Sequence, residues 1–193
     1  MTTEWYSRKR HFLKRLAEDI ESGRLDKDIY PLLKAINSMD SYYTTSSCSG
    51  RIQVYASRIP GRKFKIKTIG KWHQPISLDE LVRVLEKCHY KDIWLAVLPP
   101  ILHVVAKNVK EANRLLHLAR EAGFKHSGIL SVKDERVVVE ITSSERIETP
   151  LKMEGKWIFD HESLSKLIER ANELLSITKK KINKLKEILE CYQ

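Results

Sequence analysis

Leu164, Ile168, Ala171, Leu175, Thr178, Ile182, Leu185 and Leu189 recur at alternating spacings of four and three residues. That is the heptad period, which keeps one apolar seam on one side of a helix. The seam predicts a single helix from about residue 161 to 191, with Asp160 as its N-cap. At 1.5 Å of rise per residue such a helix is roughly 45 Å long, more than the body of a small domain. It must bury its seam against its own chain or against a second subunit. The expected states are therefore a monomer or a heptad-mediated dimer.

The rest of the chain reads as alternating short helices and strands. Phe12, Leu13, Leu16 and Ile20 mark one face of a first helix, which Ser22 and Gly23 end. Ile29, Leu32, Leu33 and Ile36 mark a second, with Pro31 in its first turn, where proline is tolerated. Strands are expected near 41–57 and 64–70. Residues 77–107 then read as helix, strand, Pro-Pro turn, strand, and residues 108–142 as helix, strand, turn, strand. This αββ pattern occurs twice, either by duplication or by coincidence, since side-chain identity between the halves is low. Ile93 to Ala106 is almost continuously apolar, which suits strands covered on both faces. The expected fold is α+β over residues 1–193, a single domain with room for two lobes. It has a mixed or largely antiparallel sheet, flanking helices and the long C-terminal helix.

With 193 residues, 42% of them hydrophobic, the chain can bury a real core. Lys and Arg number 35 against 25 Asp and Glu, a formal charge of +10 that favours an anionic partner such as RNA, DNA or a membrane surface. Three widely spaced cysteines form neither a disulfide framework nor a zinc signature, so no metal is expected. The N-terminal stretch lacks a signal-peptide core, and no apolar run approaches the ~20 residues that span a bilayer. The expectation is a soluble cytoplasmic protein without a membrane partner.

Several nucleotide and hydrolase signatures are missing. There is no GxxxxGK[ST], no GxSxG and no HExxH. With seven glycines and no GxGxxG, there is no Rossmann fingerprint. What stands out is the stretch Thr44-Thr45-Ser46-Ser47-Cys48-Ser49-Gly50-Arg51. Five hydroxyls, a thiol, a glycine and a guanidinium exceed what a packed core needs. Read as a turn, they can surround phosphate or carboxylate oxygens, with Arg51 making two parallel hydrogen bonds. The structural alternative is a Ser/Thr-rich β-turn with a solvated arginine.

Other residues carry weaker signals. Arg58, Arg62, Lys63, Lys65, Lys67 and Lys71 make a basic segment that ends in Trp72 and His73. An aromatic among cations suits base stacking, although Trp72 would equally serve a core. His103 lies within an apolar strand, where a lone histidine is more often a satisfied core group. Ser127 and Gly128 make a second small polar turn. The run Lys179-Lys180-Lys181 is expected on the outer face of the long helix, either solvated or against RNA.

TTSSCSGRI at 44–52, GKWH at 70–73, PILHV at 100–104, GFKHSGI at 123–129 and VVVEITSSER at 137–146 occur in an order and spacing that identify a family. The chain resembles the tRNA wybutosine-synthesising protein 3 family in its archaeal form, over nearly its whole length. The resemblance implies an S-adenosylmethionine-dependent methyltransferase that is not Rossmann-like. It would methylate ring nitrogen N4 of a wyosine-type tricyclic base, 3′ of the anticodon of phenylalanine tRNA. Carried onto this sequence, the family's motif residues are Ser46 to Arg51, Trp72, His73 and His103, with Ser127 and Gly128 weaker, and of these Ser46, Ser47, Ser49, Gly50, Arg51 and Trp72 are the expected cofactor-binding set. His73 and His103 are the candidate bases, because the attacking nitrogen must lose a proton. Arg51 would hold the methionyl carboxylate or an RNA phosphate, and Trp72 would stack on a ring or face the sulfonium. Cys48 is a packing residue in this scheme, since no covalent step is needed. The competing readings are a non-catalytic basic RNA-binding module and a structural protein organised by the heptads.

Overall fold

The computed structural model describes residues 3–60, 66–133 and 136–192. In chain order the elements are α1 (Thr3–Glu21), α2 (Tyr30–Ser38), β1 (Tyr42–Cys48), β2 (Arg51–Ala56), β3 (Lys67–Trp72) and α3 (Leu78–Glu86). There follow β4 (Ile93–Leu98), β5 (Ile101–Ala106), α4 (Val109–Glu121), β6 (Gly128–Lys133), β7 (Arg136–Thr142), β8 (Ile147–Met153), β9 (Lys156–Trp157) and α5 (His161–Cys191). They form two compact units. One comprises Met1–Ser49, Pro100–Ser144 and Thr178–Gln193, the other Gly50–Pro99 and Glu145–Ile177.

The first unit is built on an antiparallel sheet in the order β1-β5-β7-β6. Period-two alternation sends Leu102, Val104 and Ala106 of β5, with Val137, Val139 and Ile141 of β7, to one face. There they join Leu32, Leu33 and Ile36 of α2, Leu115 and Ala119 of α4, Phe124, and Ile182, Leu185 and Leu189 of α5 in one core. On the other face, Trp5 and Phe12 of α1 pack with Tyr43, Val105 and Val138. His103 and Glu140 lie on that second face, between the buried pairs Leu102–Ile141 and Val104–Val139.

The second unit has a five-stranded antiparallel sheet in the order β3-β2-β4-β8-β9. Ile52, Val54, Leu95, Val97 and Leu151 meet Leu81 and Leu85 of α3 and Ile168, Ala171 and Leu175 of α5. A capping box starts α3. The Ser77 hydroxyl accepts from the Glu80 backbone N–H at 3.1 Å, and the Glu80 carboxylate accepts from the Ser77 N–H at 2.7 Å. Asn172 clamps the loop before it, giving its amide N–H to the Ile76 carbonyl and taking the Ile76 N–H.

The fold is α+β with antiparallel sheets and a long C-terminal helix, as the sequence predicts. Asp160 caps α5 as expected, its carboxylate accepting from the Ser163 N–H at 2.8 Å. The heptad seam is buried within the chain. Ile168, Ala171 and Leu175 enter one core, and Ile182, Leu185 and Leu189 the other. The period of 3.5 here matches two successive globular cores rather than a partner helix.

The two αββ segments do not pair alike. β4 belongs to one sheet and β5 to the other, whereas β6 and β7 form a hairpin in the same sheet. Pro99-Pro100, lacking N–H groups, cannot continue a ladder, and the chain changes sheets there. In the basic segment, Arg62, Lys63 and Lys65 lie outside the described residues, as does Asp134 of the turn after Lys133. Among the described residues, no helix is long and apolar enough to cross a membrane.

Because the seam is an internal core, Leu185→Ala should lower unfolding free energy by about 2–5 kcal/mol in a denaturant titration. The molar mass measured by light scattering should not change.

Candidate active site

The hydroxyl-rich stretch folds differently from the turn its composition suggests. Thr44 to Cys48 lie in β1, and only Ser49 and Gly50 form the corner before β2. Pairing with β5 takes the backbone hydrogen bonds a turn would have used. Gly50 makes the corner at φ 83°, in the left-handed region that L-residues rarely adopt.

The start of β1 is fixed on both sides of Thr44. Asn37 of α2 accepts the Thr44 N–H at 2.9 Å and donates to its hydroxyl at 2.8 Å. Tyr42 is buried, its phenol donating toward the backbone carbonyl and the carboxylate of Glu111. Burial first, then that hydrogen bond, pushes the phenol far above its ordinary value, so it stays a donor. Between Thr44 and Ser46 the register slips by one residue. Tyr43 opposes Val105, and Ser46, three residues on, opposes His103. Without the bulge Thr45 would sit there; with it, the Thr45 hydroxyl instead meets the His103 backbone carbonyl at 3.3 Å.

This register aligns three side chains across adjacent strands. The Ser46 hydroxyl is 2.7 Å from His103 Nδ1, and His103 Nε2 is 3.0 Å from the Glu140 carboxylate. In the neutral ring, a proton on Nε2 is donated to the Glu140 carboxylate and leaves Nδ1 to accept from the Ser46 hydroxyl. The His103 and Glu140 side chains are 30% and 31% exposed, and Ser46 is exposed. His103 is thus not the satisfied core histidine that its apolar strand suggests. Glu140 falls inside the motif at 137–146, but its pairing with His103 is invisible to sequence reasoning, because only the register of β5 on β7 brings the two together.

Ser46 is also one wall of a cleft of about 290 Å³ in the first unit. Thr44 to Ser47 form the hydroxyl side. Phe12, Arg15, Leu16 and Asp19 of α1, with Arg24 and Leu25 beyond it, form the other. Phe12 stacks on Tyr43 with ring centroids 5.3 Å apart, and the Arg15 guanidinium lies 5.7 Å from the Phe12 ring centre. Phe12 and Leu16 were legible as an apolar helix face. Arg15, Asp19 and Arg24 carry no sequence signal that sets them apart from the chain's other charged residues.

Ser49 has a different environment from its neighbours. It is fully buried, its N–H donating to Asp26 at 2.9 Å, and its hydroxyl and carbonyl accepting from Lys179 at 2.7 and 3.0 Å. Lys179 also forms an ion pair with Asp28. One member of the lysine run is therefore turned inward, while Lys180 is exposed. Ser127 is likewise buried, donating to the Phe124 carbonyl at 2.8 Å and accepting from the Thr142 N–H at 3.1 Å. It ties the turn after α4 to β7, and Gly128 opens β6 beside it.

The remaining candidates belong to the second unit. Arg51 donates through Nε to the Gln53 side-chain oxygen at 3.0 Å, and Gln53 donates to the Thr68 hydroxyl at 3.1 Å. The guanidinium is thereby oriented before any ligand arrives. His73 Nδ1 is 3.0 Å from the Gly50 carbonyl, which assigns the ring proton to Nδ1. Trp72 is half-buried against the second core and lies over Gly70. A Cβ at Gly70 would come within 2.7 Å of ring atom Cζ3, which explains the glycine two residues before the tryptophan.

Such a molecule, with antiparallel sheets and no Rossmann order, has known counterparts. Residues 7–191 match the family model described as methyltransferase TYW3. A Pyrococcus furiosus relative is 41% identical over 182 residues, covering 94% of this chain and 93% of that protein. It is named tRNA(Phe) 7-((3-amino-3-carboxypropyl)-4-demethylwyosine(37)-N(4))-methyltransferase 1. An Archaeoglobus fulgidus relative of the corresponding name is 39% identical, covering 98% of this chain and 95% of its own. The solved structure of the PH1069 protein from Pyrococcus horikoshii superposes with a TM-score of 0.92 at 40% identity, covering 97% of each chain. A structure from Aeropyrum pernix gives 0.77 at 36% identity, covering 86% of this chain and 98% of that one. The fold and these likenesses define a methyltransferase of non-Rossmann type. The chain belongs to the methyltransferase TYW3 family.

Gly70→Ala forces the Trp72 ring off its seat. It should lower stability by about 1–3 kcal/mol and shift the Trp72 indole resonance in an NMR spectrum. An unmoved resonance would mean that the ring does not rest on Gly70.

Proposed function

We propose that this protein transfers a methyl group from S-adenosylmethionine to ring nitrogen N4 of a 4-demethylwyosine-type base at position 37 of phenylalanine tRNA. The names of the relatives support the reaction and the substrate class. The observation that carries the mechanism is the line Ser46–His103–Glu140 on the half-exposed face of the first sheet.

The residues present suit such a donor: Ser46 and Ser47 line a cleft with an apolar floor and charged rim, which fits a molecule with a ring system and an amino-acid end. When bound, S-adenosylmethionine supplies an electrophilic methyl group whose bonding pair stays with sulfur. The chain's own task is to place the ring nitrogen and remove its proton. The Ser46 oxygen takes that proton as its own hydroxyl proton passes to His103 Nδ1. The imidazolium that results keeps Nε2–H on the Glu140 carboxylate, so the new positive charge meets a negative one. Ser46 touches the substrate in this scheme, and Glu140 acts through His103 as a positioning residue. Ser47 adds a hydrogen bond to the bound group. Ser49 and Gly50 hold the backbone of the motif. In the second unit, Arg51 suits a carboxylate or an RNA phosphate, Trp72 offers an aromatic face, and His73 presents a second imidazole.

The test is methyl transfer to phenylalanine tRNA bearing the demethylated tricycle, read by mass spectrometry of the nucleosides. Ser46→Ala and His103→Asn should each lower kcat by about 10²-fold or more with KM little changed and native circular dichroism. Glu140→Gln should lower kcat less, and Glu140→Asp should recover part of it. Normal turnover in all of them would rule out the relay. If the wild type binds RNA but transfers no methyl group, a non-catalytic RNA-binding module becomes the better reading.

The formal charge of +10 implies phosphate contacts for the tRNA. Binding measured by filter retention should weaken steeply between low and physiological salt, with a negative log–log slope. A flat slope would exclude an electrostatic docking surface.

A further inference from the structure

We infer that the cleft between α1 and β1 is a recognition site for an α-amino-carboxylate group, read by Arg15, Asp19 and Arg24. The inference rests on the proposed reaction and names what one part of its site binds.

The cleft has three charged lining residues, two cationic and one anionic, at its α1 side. Phe12 and Leu16 give it an apolar floor, and Ser46 and Ser47 give it hydroxyls opposite. A zwitterionic amino-acid end needs this combination: a guanidinium fork for the carboxylate, a carboxylate for the ammonium, and an apolar surface for the methylenes between. Arg24 donates through Nε to Asp19 Oδ1 at 2.8 Å, so this pair commits one nitrogen and one oxygen. The terminal guanidinium nitrogens and Asp19 Oδ2 provide the donor and acceptor edges for a ligand. The Arg15 guanidinium is held over the Phe12 ring.

The pair has little structural purpose. Arg24 and Asp19 side chains are 66% and 39% exposed, and an exposed ion pair adds little to stability. Ser46 belongs both to the cleft and to the line reaching Glu140. A ligand seated in the cleft is thus anchored by charges beside the group assigned to take the proton.

Two molecules in the proposed reaction carry this chemistry. One is S-adenosylmethionine, through its methionine end. The other is the base itself, since the relatives' substrate carries a 3-amino-3-carboxypropyl group. The experiment separates them. Calorimetry would use wild type, Arg15→Ala, Arg24→Ala and Asp19→Asn with S-adenosylhomocysteine and with methylthioadenosine, which lacks the amino-acid end. Methyl transfer would be compared on tRNA bearing the tricycle with and without the side chain.

If the cofactor's end sits here, the variants weaken S-adenosylhomocysteine about tenfold or more and leave methylthioadenosine unchanged. If the base's side chain sits here, both nucleosides bind as in wild type. The wild type's preference for the side-chain-bearing tRNA, in kcat/KM, is then lost by about the same factor. Arg24→Lys should restore part of either loss. An active wild type whose variants change neither quantity overturns this inference alone. A wild type that binds S-adenosylhomocysteine in no assay and transfers no methyl group overturns the proposed function, and this with it.

Discussion

The Asn37 amide holding Thr44 by both its N–H and its hydroxyl is the small interaction on which the site depends. It fixes the last regular residue of β1 before the register slips. The slip decides which hydroxyl faces His103. In an unbroken ladder Thr45 would stand opposite the imidazole, carrying a methyl group and a stiff χ1. The bulge offers Ser46 instead, with a smaller side chain and an exposed hydroxyl. Bulges re-aim side chains in this way, and they persist only where neighbouring contacts over-determine them. Here Asn37 holds one side and the Thr45 hydroxyl, bonded to the His103 carbonyl, holds the other.

The motif's residues therefore have unequal duties despite similar chemistry. Ser46 is exposed on a strand, whereas Ser49 is sealed among Asp26, Lys179 and the backbone. Ser49 lies at the end of the first unit's first segment, and Gly50 opens the second unit. The Lys179 ammonium is affordable in that partly buried place because Asp28 neutralises it and two oxygens of Ser49 accept from it. Composition alone ranks the serines equally. Burial separates them into one that can meet a ligand and one that shapes the corner.

The helices were the most legible part of the sequence. The seam from Leu164 to Leu189 specified the extent of α5, and Asp160 its start, because caps and periodicity are local. The antiparallel pairing was legible only as a class. The hydroxyl stretch looked like a turn since Ser, Thr and Gly favour turns, yet pairing with β5 overrides that preference. Glu140 was hidden for a related reason: it lies 37 residues from His103, and no local pattern encodes the register of β5 on β7. The cleft charges were hidden differently. Arg15 and Asp19 share the period of α1 with many other charged residues, and only the fold shows which of them border a cavity. The family motifs located the neighbourhood that three dimensions then resolved.

A sheet is a reasonable framework for the proposed chemistry. Transferring a methyl group to a ring nitrogen requires alignment and the loss of one proton, with no covalent intermediate on the protein. A Gly-rich loop shapes itself around phosphates, but this chain has none. What it has is a line of three side chains whose separations are set by strand spacing. Cross-strand neighbours on a paired face sit about 4.5–5.5 Å apart at Cβ, close enough for short polar side chains to bond directly. Serine, histidine and glutamate on consecutive strands satisfy that spacing with hydrogen bonds of 2.7 and 3.0 Å. The ladder on both sides of β5 prevents His103 from drifting, so its ring needs no reorganisation when a proton arrives. The positive charge that the proposed relay would place on His103 is then stabilised by a carboxylate already in position, which gives an energetic reason for Glu140 to face a histidine rather than water.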